Sequence, residues 1–245
     1  MVRRAALPAQ REQLAEWESA LVASRLPVAG LDGPRPKARL VLAAPLSTGI
    51  LGEAELADLW LTERLPRWRV REALAAGMPI GHALVDLYDV WLGEPPLPGR
   101  VIASVYRATL SAPNGLSRIA AAAEALLAAD TLPRQRRKGE SAVSYDLRPF
   151  LVSIEVMAGP EGEAVLRMTL RHDPARGVGR PDETLAALGE ALGGTPLQPE
   201  TLVREELVLA EPPAPDLPAP RGPRRQPAPR SSSDALPRPP RQGGR

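Results

Sequence analysis

From Val101 to Leu209 the apolar residues switch repeatedly between a period of two and a helical period, and this succession constrains the fold more than any other feature of the chain. Over Val101–Leu110, Ile102, Tyr106, Ala108 and Leu110 share one face and Val101, Ala103 and Val105 the other, which predicts a largely buried strand. After the turn residues Pro113-Asn114-Gly115, Ser117 is placed to cap a helix. That helix carries the stripe Ile119, Ala120, Ala123, Leu126 and Leu127 and stops before Pro133. Strand spacing returns over Val143–Met157, with Phe150, Val152, Ile154 and Val156 on one side, and Pro149 demands an edge or a bulge there. A turn at Gly159-Pro160-Glu161-Gly162 precedes a half-buried strand in which Leu166, Met168 and Leu170 alternate with Arg167, Thr169 and Arg171. Arg180-Pro181-Asp182-Glu183 opens a second helix, with proline suited to the first turn and two carboxylates at the positive end of the dipole. Gly193-Gly194 ends it, and Thr201–Leu209 sets Val203, Leu207 and Leu209 against Arg204, Glu206 and Val208. The order is βαββαβ, which folds most simply as an antiparallel sheet with two helices on one face.

The first half repeats this order with one element short: helix Gln10–Ser24, strand Lys37–Ala44, strand Glu55–Thr62, helix Arg67–Ala76 and strand His82–Trp91. The expected fold class is therefore α+β, with two tandem ferredoxin-like halves at residues 1–97 and 98–210. The missing piece is an opening strand. It is supplied by Val2–Leu7, by an edge of the other half, or by sequence upstream of Met1.

Composition bounds the chemistry. The 245 residues contain no Cys, which excludes disulfides, Cys-ligated zinc, thiol catalysis and a thiolate-held iron–sulfur cluster on this chain. The longest apolar runs fall well short of the ~20 residues a membrane span needs, so a soluble, cytoplasmic protein is expected. The net charge of +2 is unevenly spread: residues 211–245 hold 7 Arg against 3 acidic residues, together with 11 of the 29 prolines. Such a segment buries too little surface to offset the entropy of ordering and is expected to be a disordered tail. It is either an electrostatic arm for RNA or an acidic partner, or simply a solubilising tail in a chain where Arg replaces nearly all Lys.

No phosphate-cradle, dinucleotide or nucleophile-elbow motif occurs, and the two histidines, His82 and His172, lie in separate predicted strands as ordinary sheet residues. The densest basic run is Arg134, Arg136, Arg137 and Lys138, expected in a loop before Gly139 and Glu140. Guanidinium groups there suit phosphate, although they equally complement the negative end of the preceding helix. Asp146 and Arg148, two apart, can share a face, so that Asp146 orients Arg148 toward an anion or merely fixes the strand entry. Arg180 beside a helix N-terminus suits a carboxylate or phosphate, though capping alone accounts for Asp182 and Glu183. With only 8 aromatic residues, placed where a core needs them, base stacking by an open sheet is not favoured.

An ordered set of segments resembles the radical-SAM-linked protein family, a bacterial domain of unknown function. They are Arg25-Leu26-Pro27-Val28, then Pro36-Lys37, Leu40–Ala44 with Pro45-Leu46 and Gly49, and Met78-Pro79-Ile80-Gly81. Tyr106, Lys138-Gly139, Asp146-Leu147-Arg148-Pro149 and Arg180-Pro181-Asp182-Glu183 complete the set. The resemblance runs from about Trp17 to Leu209. It departs at the start, where members usually carry a strand and a Ser-His-Leu-Asp segment. It departs again at Gly30–Pro36, where a Gly-Phe-Asn-Pro-His-Pro run has lost its aromatic and its histidine.

The resemblance implies association with a radical S-adenosylmethionine protein, with S-adenosylmethionine and an iron–sulfur cluster held by that partner and no cofactor on this chain. The leading expectation is a non-catalytic accessory module that binds the partner or presents its substrate, RNA or a ribosome-associated molecule. Arg136, Lys138, Asp146, Arg148 and Arg180 are its anion-binding candidates, with Lys37 as a further one, and the crevice between halves is the place to look. The alternative is a freestanding RNA-modifying or RNA-processing enzyme using Asp146 in a basic crevice. A third option is a protein-binding scaffold without a small ligand.

Overall fold

The computed structural model describes residues 10–91, 93–111, 115–138, 141–194 and 196–211. In chain order the elements are α1 (Gln10–Ala23), β1 (Leu40–Leu42), β2 (Leu51–Gly52), β3 (Ala57–Leu59), α2 (Arg67–Gly77), α3 (Leu97–Arg100), β4 (Val101–Ser111) and α4 (Leu116–Ala128). They continue with β5 (Pro133–Lys138), β6 (Ser141–Asp146), β7 (Leu151–Ala158), β8 (Glu163–Asp173), β9 (Gly177–Val178), α5 (Pro181–Ala191) and β10 (Thr201–Leu209). The chain is thus a mixed α+β protein.

The main sheet runs β2-β10-β4-β8-β7, and β9 adds to β8. β10, β4, β8 and β7 are antiparallel to their neighbours, whereas β2 joins β10 in parallel. Side chains alternate across a strand, so Tyr106, Ala108 and Leu110 of β4 and Leu166, Met168 and Leu170 of β8 line one face. Ile119, Ala123 and Leu126 of α4 and Leu185 and Leu188 of α5 pack into the same core, which places both helices on that face. Leu166, Met168, Leu170 and Leu188 are fully enclosed. Each such side chain contributes about 1.5–3 kcal/mol by leaving water.

Pro149 ends one strand and starts another: a 3-10 turn at Arg148–Phe150 separates β6 from the edge strand β7. A register shift between Leu151 and Ser153 turns Val152 outward, so it leaves the face expected for it while Ile154 stays buried. At the start of α4 it is Gly115, at φ +78°, that takes the N-cap position, and Ser117 makes no cap.

Three expectations need correction. The first half shows no second four-stranded sheet among the described residues: β1 and β3 form a two-stranded ladder, and β2 is given to the sheet of the other half. Its core is instead made by Leu21 of α1 and Val70 and Leu74 of α2, with Val28, Ala38, Leu84 and Leu87. The strand expected over 82–91 is absent, because alternation without a neighbouring edge does not make a sheet. Its inward residues are His82, Leu84 and Leu87, a spacing that breaks the period of two, while Val85 and Trp91 are exposed. Finally, the basic run expected in a loop forms β5, paired antiparallel with β6 in a hairpin outside the main sheet. Val2–Leu7 and the tail beyond Glu211 lie outside the described residues.

Candidate functional site

Arg204, on β10, is only 2% exposed although it is a charged residue in an apolar sheet. Its Nε donates to Glu55 Oε1 at 2.8 Å and its Nη2 to the other Glu55 oxygen. Nη1 and Nη2 also reach the carbonyls of Pro45 and Ala44 at 3.2 and 3.0 Å. The Glu53 N–H returns a bond to the Arg204 carbonyl at 2.9 Å. One side chain therefore ties residues 44–55 of the first half to the sheet of the second. Burial alone would lower the Arg204 pKa, but the Glu55 carboxylate, helped by Tyr106, outweighs it, and the pKa is raised.

Beside this pair, Ser104 Oγ and His172 Nε2 lie 2.8 Å apart. Ser104 is completely enclosed, so no substrate can reach it as a nucleophile, and the pair is structural. Burial first, and then the Arg204 charge, pull the His172 pKa down to about 4. The unfolded imidazole, near 6.5, takes up its proton before the folded one, so this contribution is complete above pH 6.5 and is lost as pH falls toward 4. The urea midpoint is expected to fall less over that interval in His172→Gln, which can still bond Ser104. Equal falls in variant and parent would refute the assignment.

The segment that Arg204 anchors forms one wall of an open groove of about 460 Å³. That wall is Ser47, Thr48, Gly49, Ile50 and Leu51; the other carries Arg180 and Asp182, and residues 198–202 complete the lining. The wall turns on an Ile50 N–H to Ser47 carbonyl bond of 3.1 Å, and Gly49 adopts φ +85°, a conformation that favours glycine. Opposite, Arg180 holds the N-cap position of α5 and pairs with Asp182 at 2.6 and 3.1 Å. The lining is polar on both sides, with hydroxyls on one and a guanidinium–carboxylate pair on the other.

Of the six anion-binding candidates expected from sequence, Arg180 is the one among the residues lining this groove. Arg148 donates from Nε, Nη1 and Nη2 to the carbonyls of Ala129, Leu151 and Leu127, closing the C-terminal end of α4. Asp146 accepts from the backbone N–H groups of Leu132 and Arg148 at 2.7 and 3.0 Å, which is turn-building rather than orientation of the guanidinium. Arg136 and Lys138 lie on β5. Lys37 is exposed before β1, its N–H bonded to the Gly30 carbonyl at 2.9 Å, and no described contact brings it to the others. His82 stacks edge-on against Trp17 with ring centres 5.3 Å apart, remote in role from His172. Among the described residues no group of three or more His, Asp or Glu side chains is placed to hold a metal. No helix among them is long and apolar enough to cross a membrane.

The opposite face of the sheet carries a second set of charges. Arg107 bonds Glu205 at 2.6 Å and Glu53 at 2.7 Å, and Arg167 reaches Glu205 at 3.1 Å. Burial would raise the Glu205 pKa, yet the two arginines outweigh it and lower it. These guanidinium groups are matched by carboxylates within the chain.

Arg204 and Glu55 were invisible as a site because the register shifts between Arg204 and Glu206. Counting alternation back from Leu207 puts Arg204 on the solvent side; the shift returns it to the core side, opposite Tyr106.

Fold and site together define a mixed α+β protein with a polar groove between segments far apart in sequence. The chain belongs to the bacterial family described as uncharacterized protein conserved in bacteria (DUF2344), which matches residues 2–180. The match takes in the wall at 47–51 and ends on Arg180. No curated protein matches the chain. The family description names no activity.

Proposed function

We propose that this chain is an accessory module, built on a ferredoxin-like plan, that docks on a radical S-adenosylmethionine protein and holds that partner's substrate. The observation that carries the reading is the groove between residues 47–51 and the N-terminus of α5. Two segments that carry the family resemblance, Pro45-Leu46 with Gly49 and Arg180-Pro181-Asp182-Glu183, meet there. It offers backbone N–H groups, the hydroxyls of Ser47, Thr48 and Thr201 and the Arg180 guanidinium, a set of donors suited to an oxygen-rich group on a substrate. The sequence has no thiolates for a cluster, so any radical would be generated on the partner.

The test is anaerobic copurification of the full chain with a radical S-adenosylmethionine protein from the same genome, with S-adenosylmethionine present. Retention above a partner-free control is expected. Thr48→Trp and Arg180→Ala should preserve that retention and the melting temperature while depressing modification of the bound substrate. Failure of the parent chain to associate, with cofactor and cell RNA both supplied, overturns the reading.

A further inference from the structure

The segment 82–91 reads as a strand in the sequence and has no strand beside it. From His82 to Trp91 the backbone makes no turn, bend or ladder. The His82 N–H closes a turn on the Pro79 carbonyl, and the Trp91 carbonyl accepts from the Glu94 N–H. Between those ends, among the described residues, no N–H or C=O of residues 83–90 meets another backbone group; the Leu87 N–H is held by the Asp86 carboxylate at 2.7 Å. The stretch is nevertheless fixed in place. Leu84 and Leu87 pack on the core that α1 and α2 form, and Asp86 pairs with Arg71 Nη2 of α2 at 3.0 Å. What it turns outward is largely apolar: Val85 is 75% and Trp91 76% exposed, and Ile80, Tyr88 and Val90 are exposed as well. Five of the 12 exposed large apolar side chains among the described residues lie between Ile80 and Trp91. Such a concentration marks a contact surface, unlike the single apolar residues scattered over an ordinary one.

We infer that residues 83–90 are a docking edge that another protein completes by adding a strand. A row of main-chain N–H and C=O groups, held by packed leucines, is a template for strand addition, and the outward apolar residues supply the side-chain contacts. An edge already in place spares the ordering entropy that a loose segment costs on binding. The slip of phase between Leu84 and Leu87 places a bulge there, with a run of pairing on either side. Charge selects the occupant. The stretch holds Asp86 and Asp89 and no cation. Asp86 is matched by Arg71, whereas Asp89 has no ion-pair partner among the described residues. A second copy of the segment would bring two more carboxylates to the ladder and no counter-charge, and like charges facing across strands are unfavourable. The fitting partner is therefore an extended segment of a different protein, apolar at alternate positions and carrying a Lys or Arg to meet Asp89. This inference concerns the chain's own backbone and depends neither on the groove nor on the radical S-adenosylmethionine partner.

The experiment selects peptides from a random display library with the full chain as bait, then measures the enriched ones by fluorescence anisotropy and backbone hydrogen exchange. Enriched sequences should alternate apolar residues and carry Lys or Arg. Their binding should slow exchange at residues 83–90, which exchange freely in the chain alone. Tyr88→Ala with Trp91→Ala should weaken binding about tenfold or more at an unchanged melting temperature. In a selection repeated on Asp89→Lys, the basic residue should vanish from the enriched sequences. N-methylation of alternate peptide positions separates strand addition from mere apolar adhesion: the set whose N–H groups face the edge should weaken binding about tenfold or more, the other set leaving it nearly unchanged. Protection of residues 83–90 in the chain alone, no enriched peptide, equal losses from both N-methyl sets, or dimerisation that protects the same amides overturns the inference. Failure of partner copurification leaves it standing.

Discussion

Glu55→Ala is expected to lower the free energy of unfolding by about 3–5 kcal/mol, toward the lower end because the Glu55 side chain is partly exposed. The variant removes the counter-charge of a guanidinium that is only 2% exposed and leaves it the backbone carbonyls of Ala44 and Pro45 and the Tyr106 side chain. An uncompensated buried charge costs more than the pair contributes. Arg204→Met should therefore cost less than Glu55→Ala, since Glu55 can turn to water. In the double variant Arg204→Met with Glu55→Leu, stability should recover to within about 2 kcal/mol of the parent, because an apolar replacement of a buried pair is often neutral. Urea unfolding at neutral pH of the four proteins measures the coupling directly. Additive losses would mean that the two side chains do not act as a unit and that the groove wall is held by something else.

That pair also shows what could and could not be seen in the sequence. Spacing located β4, β8, β10, α4 and α5 because each has a face that must leave water, and burial imprints its period on the residues. It missed β5, whose residues Pro-Arg-Gln-Arg-Arg-Lys carry no apolar period and are paired because β6 returns beside them. It supplied a strand at 82–91 where alternation exists without an edge to pair with. It put Arg204 on the wrong side because one irregularity in a ladder reverses every assignment beyond it. The groove was legible only as an expectation that the halves would meet. Its two walls are more than 120 residues apart, and no local pattern records which loops converge.

Charge is the easiest property to read in a sequence, and Arg148 shows why it misleads without the acceptors. Arg148→Ala is expected to destabilise the protein by about 2–3 kcal/mol. The last turn of α4 presents carbonyls that have no partner within the helix, and a cation there also opposes the negative end of the dipole. Arg148 serves the Leu127 and Ala129 carbonyls at 2.7 and 3.1 Å and joins them to Leu151 at the start of β7. Removing it strips three acceptors at once in a half-buried corner where water replaces them incompletely. Arg148→Lys, with one ammonium in place of a planar fork, should recover only part of the loss. Asp146→Asn keeps a carbonyl oxygen for the Leu132 and Arg148 N–H groups, so its cost should be near 1 kcal/mol. Thermal and urea unfolding decide between this role and an anion site. An Arg148 that bound a ligand would leave stability intact when removed and change only the salt dependence of binding.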